Sequence, residues 1–219
     1  MEPQIQETDV ATLLRQRSDI WRGSTGHHSR HVSVSSVFPA LDDALGGGWP
    51  AGLITEIFSD SPGAVLRLLL PALRGLSRQA GWLAWIAPPL IPYPPGLLYH
   101  GIALEHILMI RPSSLKERLW AAEQCLRSGA CSAMLLWLER SDFLTSRRLQ
   151  LAAHGSRIPA FCLLPPGVQR SASAAALRLT IRPEPGPDAR PDAEMGMELA
   201  IEILKCRTGS GGRRVCLSA

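Results

Sequence analysis

The sequence predicts an α/β protein in which a mainly parallel sheet carries helices on both faces. Three observations predict it. Apolar runs of strand length recur, as at residues 133–138 and 160–164. Helix-periodic segments with caps stand between them, as at 64–78 and 114–128. The runs are apolar at nearly every position, as expected of strands covered on both sides.

The elements follow in order. Residues 9–22 read as an amphipathic helix, with Val10, Leu13, Leu14, Arg17, Ile20 and Trp21 on one stripe. Residues 23–31 hold Gly, Ser, Thr, His27, His28 and His31. With no Asp, Glu or Cys nearby, this reads as a solvated linker and not a metal site. The core begins near Val37, with a helical turn at 40–45 broken by Gly46-Gly47-Gly48-Trp49-Pro50. A strand at 52–58 and a turn at 59–63 lead into the 64–78 helix, with Asp60 or Ser61 as N-cap and Pro62 in its first turn. A strand at 82–87 ends at Pro88-Pro89, and the proline-dense stretch 88–96 is irregular. A short helix at 95–100 precedes a strand at 104–110.

The 114–128 helix is capped by Ser113 or Ser114, with Glu117 placed for a capping box and Gly129 as its stop. The 133–138 strand, a helix at 145–154 ended by Gly155, and the 160–164 strand follow. After 171–181 comes a hydrophilic Pro/Gly stretch at 183–196, then a final strand at 198–207. The chain therefore divides into an arm and linker (1–35), one core (36–207) and a flexible basic tail (208–219), with no internal repeat and no second domain.

Composition narrows the function. The chain has 219 residues, 46% hydrophobic and 19% charged, enough for one well-buried domain. The longest strongly apolar run, 66–73, is interrupted by Arg67 and Pro71 and is too short to span a bilayer. The start, Met1-Glu2-Pro3-Gln4, has no secretory pattern, so a cytoplasmic location is expected. The 5 cysteines form no paired C-x-x-C motifs and read as small buried thiols. Lys116 and Lys205 are the only lysines among 23 basic residues. The net charge of +4 permits weak contact with DNA without showing it.

The stretch Leu41-Asp42-Asp43-Ala44-Leu45-Gly46-Gly47-Gly48-Trp49-Pro50, followed by Ile54-Thr55-Glu56-Ile57, resembles the lead-in to the phosphate-binding loop of the RecA family. Gly101-Ile102 and Leu126-Arg127-Ser128-Gly129-Ala130 continue the likeness over about residues 36–140. The resemblance implies a RecA-like three-layer fold. The family's long DNA-binding loops have no room between Leu138 and Ala160.

The charged positions of the site are replaced. A P-loop uses backbone N–H groups to cradle phosphate, a lysine to reach the terminal phosphates and a hydroxyl to hold Mg²⁺. The corresponding window is Ser59, Asp60, Ser61, Pro62, Gly63, Ala64, Val65 and Leu66. Aligned on Gly63, the lysine and hydroxyl positions are Ala64 and Val65; aligned on Ser59, they are Val65 and Leu66. Ala87-Pro88-Pro89 stands where the family keeps a catalytic carboxylate, and Trp137 where it keeps the metal-side Asp. Glu139 is two residues further on. Phosphoryl transfer depends on that clamp of charges, so no catalytic residue and no cofactor is expected.

The chain also resembles the ImuA family of accessory proteins in bacterial translesion mutagenesis. Leu14-Arg15-Gln16-Arg17 with Trp21-Arg22-Gly23, Pro92-Tyr93-Pro94, Leu119-Trp120-Ala121-Ala122-Glu123-Gln124-Cys125 and Leu204-Lys205-Cys206-Arg207 carry the resemblance. It implies an SOS-response adaptor with three partners: an ImuB-type inactive relative of the Y-family polymerases, an error-prone alternative replicative polymerase subunit, and RecA. The SulA cell-division inhibitors are similar through Gly52–Ile57 and Trp82-Leu83-Ala84-Trp85-Ile86, and imply the division protein FtsZ as partner instead.

Candidate partner-binding residues are Leu13, Leu14, Arg17, Trp21 and Arg22 in the arm, Leu90, Ile91 and Tyr93 in the proline loop, and Lys205 and Arg207 near the C-terminus. The loop residues either cover the old nucleotide crevice or offer a recognition surface. Trp137 is expected to fill that crevice. Trp120 is expected to pack its helix on the sheet.

Overall fold

Residues 32–186, 197–207, 209 and 211–218 are described by the computed structural model. The arm residues Leu13, Leu14, Arg17, Trp21 and Arg22, and the histidine-bearing linker, lie outside them. The strands are β1 (Ser33–Val34), β2 (Trp49–Pro50), β3 (Ile54–Phe58), β4 (Trp82–Ile86), β5 (Ile107–Ile110), β6 (Cys131–Trp137), β7 (Ala160–Leu164), β8 (Leu177–Pro185), β9 (Met197–Cys206) and β10 (Arg214–Ser218). The α-helices are α1 (Pro39–Leu45), α2 (Pro62–Ser77), α3 (Pro94–Tyr99), α4 (Leu115–Ser128) and α5 (Phe143–Ala153).

Eight strands form one sheet in the order β10-β9-β8-β3-β7-β6-β4-β5. From β8 to β5 every pairing is parallel, while β8–β9 and β9–β10 are antiparallel. Two cores lie on opposite sides. One joins α1 and α2 to Ile57, Trp85, Leu135 and Phe161 and extends under Leu179, Ile201 and Leu217. The other joins α4 and α5 to Ile54, Phe58, Met134 and Leu164. The expected α/β three-layer architecture is the one found.

Caps set the helix starts as the sequence implies. Ser61 Oγ accepts from Ala64 N at 3.2 Å, with Pro62 in the first turn. Ser114 accepts from Glu117 N at 3.3 Å while Glu117 Oε2 accepts from Ser114 N at 3.2 Å, which completes the capping box. In the glycine-rich lead-in, Leu41, Ala44 and Leu45 are buried. Asp42 reaches back to accept from Ser36 N at 2.7 Å and Ser35 Oγ at 2.6 Å, tying α1 to the chain that precedes it.

β1 then crosses over the glycine turn to pair with β2. Gly48 sits under this crossing at φ 114°, where an added Cβ would run into the Val34 carbonyl. Gly48→Ala is therefore expected to cost about 2–3 kcal/mol, by combining left-handed strain with a backbone clash. Gly63 lies in the first turn of α2 with open space around it, so Gly63→Ala should leave stability unchanged or raised. Denaturant titration of the two variants checks the contrast.

Four expectations need correction. The tail is not wholly flexible: Arg214–Ser218 form β10 on the open edge of β9. Val215 and Leu217 alternate with polar residues there, so a five-residue amphipathic strand was hidden by its glycine-rich flank. The 198–207 strand is accordingly not the final one. The hydrophilic stretch begins later than expected, because β8 runs on to Pro185 against β9. Trp120 does not pack on the sheet: it is 59% exposed, and α4 faces the core instead with Leu119, Ala122, Cys125 and Leu126.

Candidate functional site

In a parallel sheet the C-terminal strand ends open on one side, which is where ligands bind α/β proteins. Here the loops after β3, β4, β5, β6 and β7 surround a cleft of about 720 Å³. Its floor is Ser59, Asp60, Pro62 and Val65, and its sides include Ala87–Ile91, Trp137 and Arg118.

The phosphate-binding geometry is closed from within. The Ala64 N–H, which a P-loop would offer to an anion, donates to Ser61 Oγ. Ser61 N donates to Ser59 Oγ at 3.2 Å, and Pro62 has no N–H. Ala64, Val65 and Leu66, which the two alignments of the loop place at the lysine and hydroxyl positions, all pack into the α1–α2 core. Asp60 is exposed at the cleft, where its charge opposes an anion.

The other two positions that the RecA resemblance singles out are also packed into the fold. Ala87 holds a left-handed backbone at φ 55° and donates its N–H to Ile110 O at 2.9 Å. Trp137 leans on Trp85, ring centroids 5.6 Å apart at 44°. It lines the cleft without filling it, contrary to expectation, because the neighbouring strand offers an aromatic partner at the sheet surface. Glu139 is exposed and accepts from Arg118 Nη1 at 3.4 Å.

What the rim offers is apolar surface. Leu90, Ile91 and Tyr93 are 71–72% exposed, and Leu90 and Ile91 line the cleft mouth. The following helix α3 adds Leu98 and Tyr99, both exposed. Prolines at 88, 89, 92, 94 and 95 hold these side chains on a stiff segment.

Lys205 and Arg207 are not part of this surface. β9 runs antiparallel to β8, so its C-terminal end lies at the opposite edge of the sheet. Lys205 is half-buried and donates from Nζ to Ser173 O at 3.1 Å. Burial, then Arg207 and Arg178, holds its ammonium below the usual lysine range. Arg207 is exposed.

Sequence reasoning missed a buried ion pair beside the cleft strands. Registers place Cys162, Glu56, Arg178 and Lys205 in one row across β7, β3, β8 and β9. Glu56 Oε2 accepts from Arg178 Nε at 2.7 Å, and its Oε1 accepts from Ser173 Oγ at 2.9 Å. The Arg178 guanidinium lies over the Phe58 ring, 5.1 Å from its centroid. Burial and the Glu56 charge push the Cys162 thiol up. The available signal was a carboxylate inside an otherwise apolar strand.

Among the described residues, no group of three or more His, Cys, Asp or Glu is placed to hold a metal ion. No described helix is long and apolar enough to cross a membrane.

Comparison with known proteins adds the family. A sequence profile described as "Cell division inhibitor SulA" matches residues 52–158. The cell division inhibitor SulA of Yersinia pseudotuberculosis is 30% identical over 140 residues, covering 64% of this chain and 82% of that protein. The Yersinia pestis protein of the same name matches over the same shares. This chain belongs to the SulA family.

The SulA match contains the whole loop from β3 into α2, the proline segment and the end of β6, so the cleft lies mostly within it. The crystal structure of SulA from Pseudomonas aeruginosa is 30% identical and covers 53% of this chain and 99% of its own, with a TM-score of 0.45. The RadB recombinase structure superposes with a TM-score of 0.61 at 16% identity, covering 84% of this chain and 94% of its own. That likeness shows the RecA-like fold alone. Strands β8–β10 lie beyond the SulA profile match.

Proposed function

We propose that this SulA-family chain restrains cell division after DNA damage by binding FtsZ, and that it does so without nucleotide chemistry. The observation that carries the reading is the rim of the cleft. A phosphate loop capped by its own serines leaves Leu90, Ile91 and Tyr93 as the prominent groups at the mouth. Exposed apolar side chains on a proline-stiffened loop lose little entropy on binding, which favours protein recognition. The relatives, named as cell division inhibitors, support the choice of FtsZ.

The test is expression in growing cells. Filamentation without septa, with the purified protein lowering the sedimentable polymer of FtsZ, is the expected result. Normal division at high expression would overturn it.

A second reading is an adaptor of damage-induced mutagenesis whose partners are an ImuB-type polymerase relative, an error-prone replicative polymerase subunit and RecA. One observation favours it: β8–β10 lie outside the SulA profile match. Co-purification from damaged cells separates the two readings. Recovery of RecA or the polymerase relative supports the adaptor, and recovery of FtsZ supports the inhibitor. Both readings place the protein in the cytoplasm, acting without a cofactor.

A further inference from the structure

The edge of the sheet opposite the cleft, where the parallel strands begin, has a different character. Arg78 follows α2 just before β4, Arg127 ends α4 before β6, and Arg157 precedes β7. The antiparallel strand β9 brings a later residue to the same edge. Arg207 follows β9, its N–H donating to Ala176 O beside the start of β8.

All four arginines are exposed. Arg78, Arg157 and Arg207 take part in no ion pair among the described residues. Arg127 has a long 3.9 Å contact with Glu123. That carboxylate is buried and also held by Arg148, so it neutralises little at the surface. Glu105 stands at the outer end, beside β5. The cleft edge, in contrast, mixes Asp60, Glu139 and Asp142 with its arginines.

A second observation comes from the cavity at this edge, about 790 Å³, lined by Arg127, His154 and Arg157 among others. Two hydroxyls in its lining, Ser132 Oγ and Ser156 Oγ, are buried without a hydrogen-bond partner. An unpaired buried hydroxyl costs about 1–3 kcal/mol, a cost that a polar ligand or a water in this cavity would relieve.

We infer that this edge binds single-stranded nucleic acid, its phosphates running along Arg207, Arg157, Arg127 and Arg78 and an unpaired nucleotide entering the cavity. From β9 to β4 the edge is roughly 25 Å long at the usual strand spacing. That length suits the site sizes of about 4–16 nucleotides seen for single-strand surfaces. Arginine forks match phosphate oxygens bidentately. A duplex keeps its bases paired and cannot use the cavity. The inference is independent of the division-inhibitor reading and uses the other end of the molecule.

The experiment is fluorescence anisotropy of a labelled single-stranded oligonucleotide with the full chain, across a salt series. Binding that weakens steeply with salt, and a matched duplex that binds at least tenfold more weakly, are expected. The triple variant Arg78→Ala/Arg157→Ala/Arg207→Ala should lose at least tenfold in affinity and flatten the salt slope by about 2, since each single-strand phosphate contact contributes about 0.7. Arg140→Ala/Arg170→Ala, at the cleft edge, should change neither. No binding at low salt, an unchanged slope in the triple variant, or an equal loss in the control would overturn the inference. Equal duplex binding would overturn the single-strand assignment. The wild-type salt slope and duplex comparison decide the matter even if the triple variant folds poorly.

Discussion

Glu56→Ala should unfold this protein far more readily than any surface change, at a cost of about 3–5 kcal/mol. Arg178, whose side chain is 12% exposed, would be left buried without its carboxylate. Its remaining contact, the Phe58 ring, cannot replace a charge-assisted hydrogen bond. Ser173 would lose its acceptor as well. Urea denaturation with unchanged slope and a much lower midpoint is the expected record. Replacing both partners by apolar residues, Glu56→Leu/Arg178→Met, should recover most of the loss, because the desolvation penalty disappears with the charges. A loss below about 1 kcal/mol for the single variant would mean that the pair is hydrated and not part of the core.

The second large effect is functional. Ile91→Asp/Tyr93→Asp should abolish the proposed block to division and weaken capture of FtsZ by at least tenfold. Stability should stay near that of the parent, since both side chains are more than 70% exposed and away from the core. Charges placed in the centre of an apolar contact are desolvated without a partner, and this accounts for the size of the effect. Cell length on expression and sedimentation with FtsZ are the readouts. A variant that still causes filamentation would move the contact away from the rim, and the exposed Trp120 would be the next position to change.

These two predictions separate what was readable from what was not. Ile91 and Tyr93 stood out in the sequence because prolines on either side forbid regular structure, whatever the rest of the chain does. Glu56 was visible only as part of a family-like strand. Its meaning depends on Arg178, 122 residues away, and on a sheet register that no local pattern encodes. β10 was missed for a related reason: a short strand flanked by glycines becomes stable only when β9 offers it an open edge. Trp120 was misjudged because helical phase, and not hydrophobicity, decides which face of α4 turns inward.

By itself the sequence determined the α/β class, the helix caps, the succession of strands and helices along the chain and the lack of any lysine in the loop from β3 into α2. Those features are local: they follow from periodicity, from proline and glycine geometry, and from which side chains can carry charge. Only the tertiary structure decided that Ser61 turns its hydroxyl back on the loop, that a cleft survives beside Trp137, and that Lys205 and Arg207 lie far from the rim. It alone gathered arginines from four separate connections along one edge, because parallel strands align their beginnings whatever distance in sequence separates them.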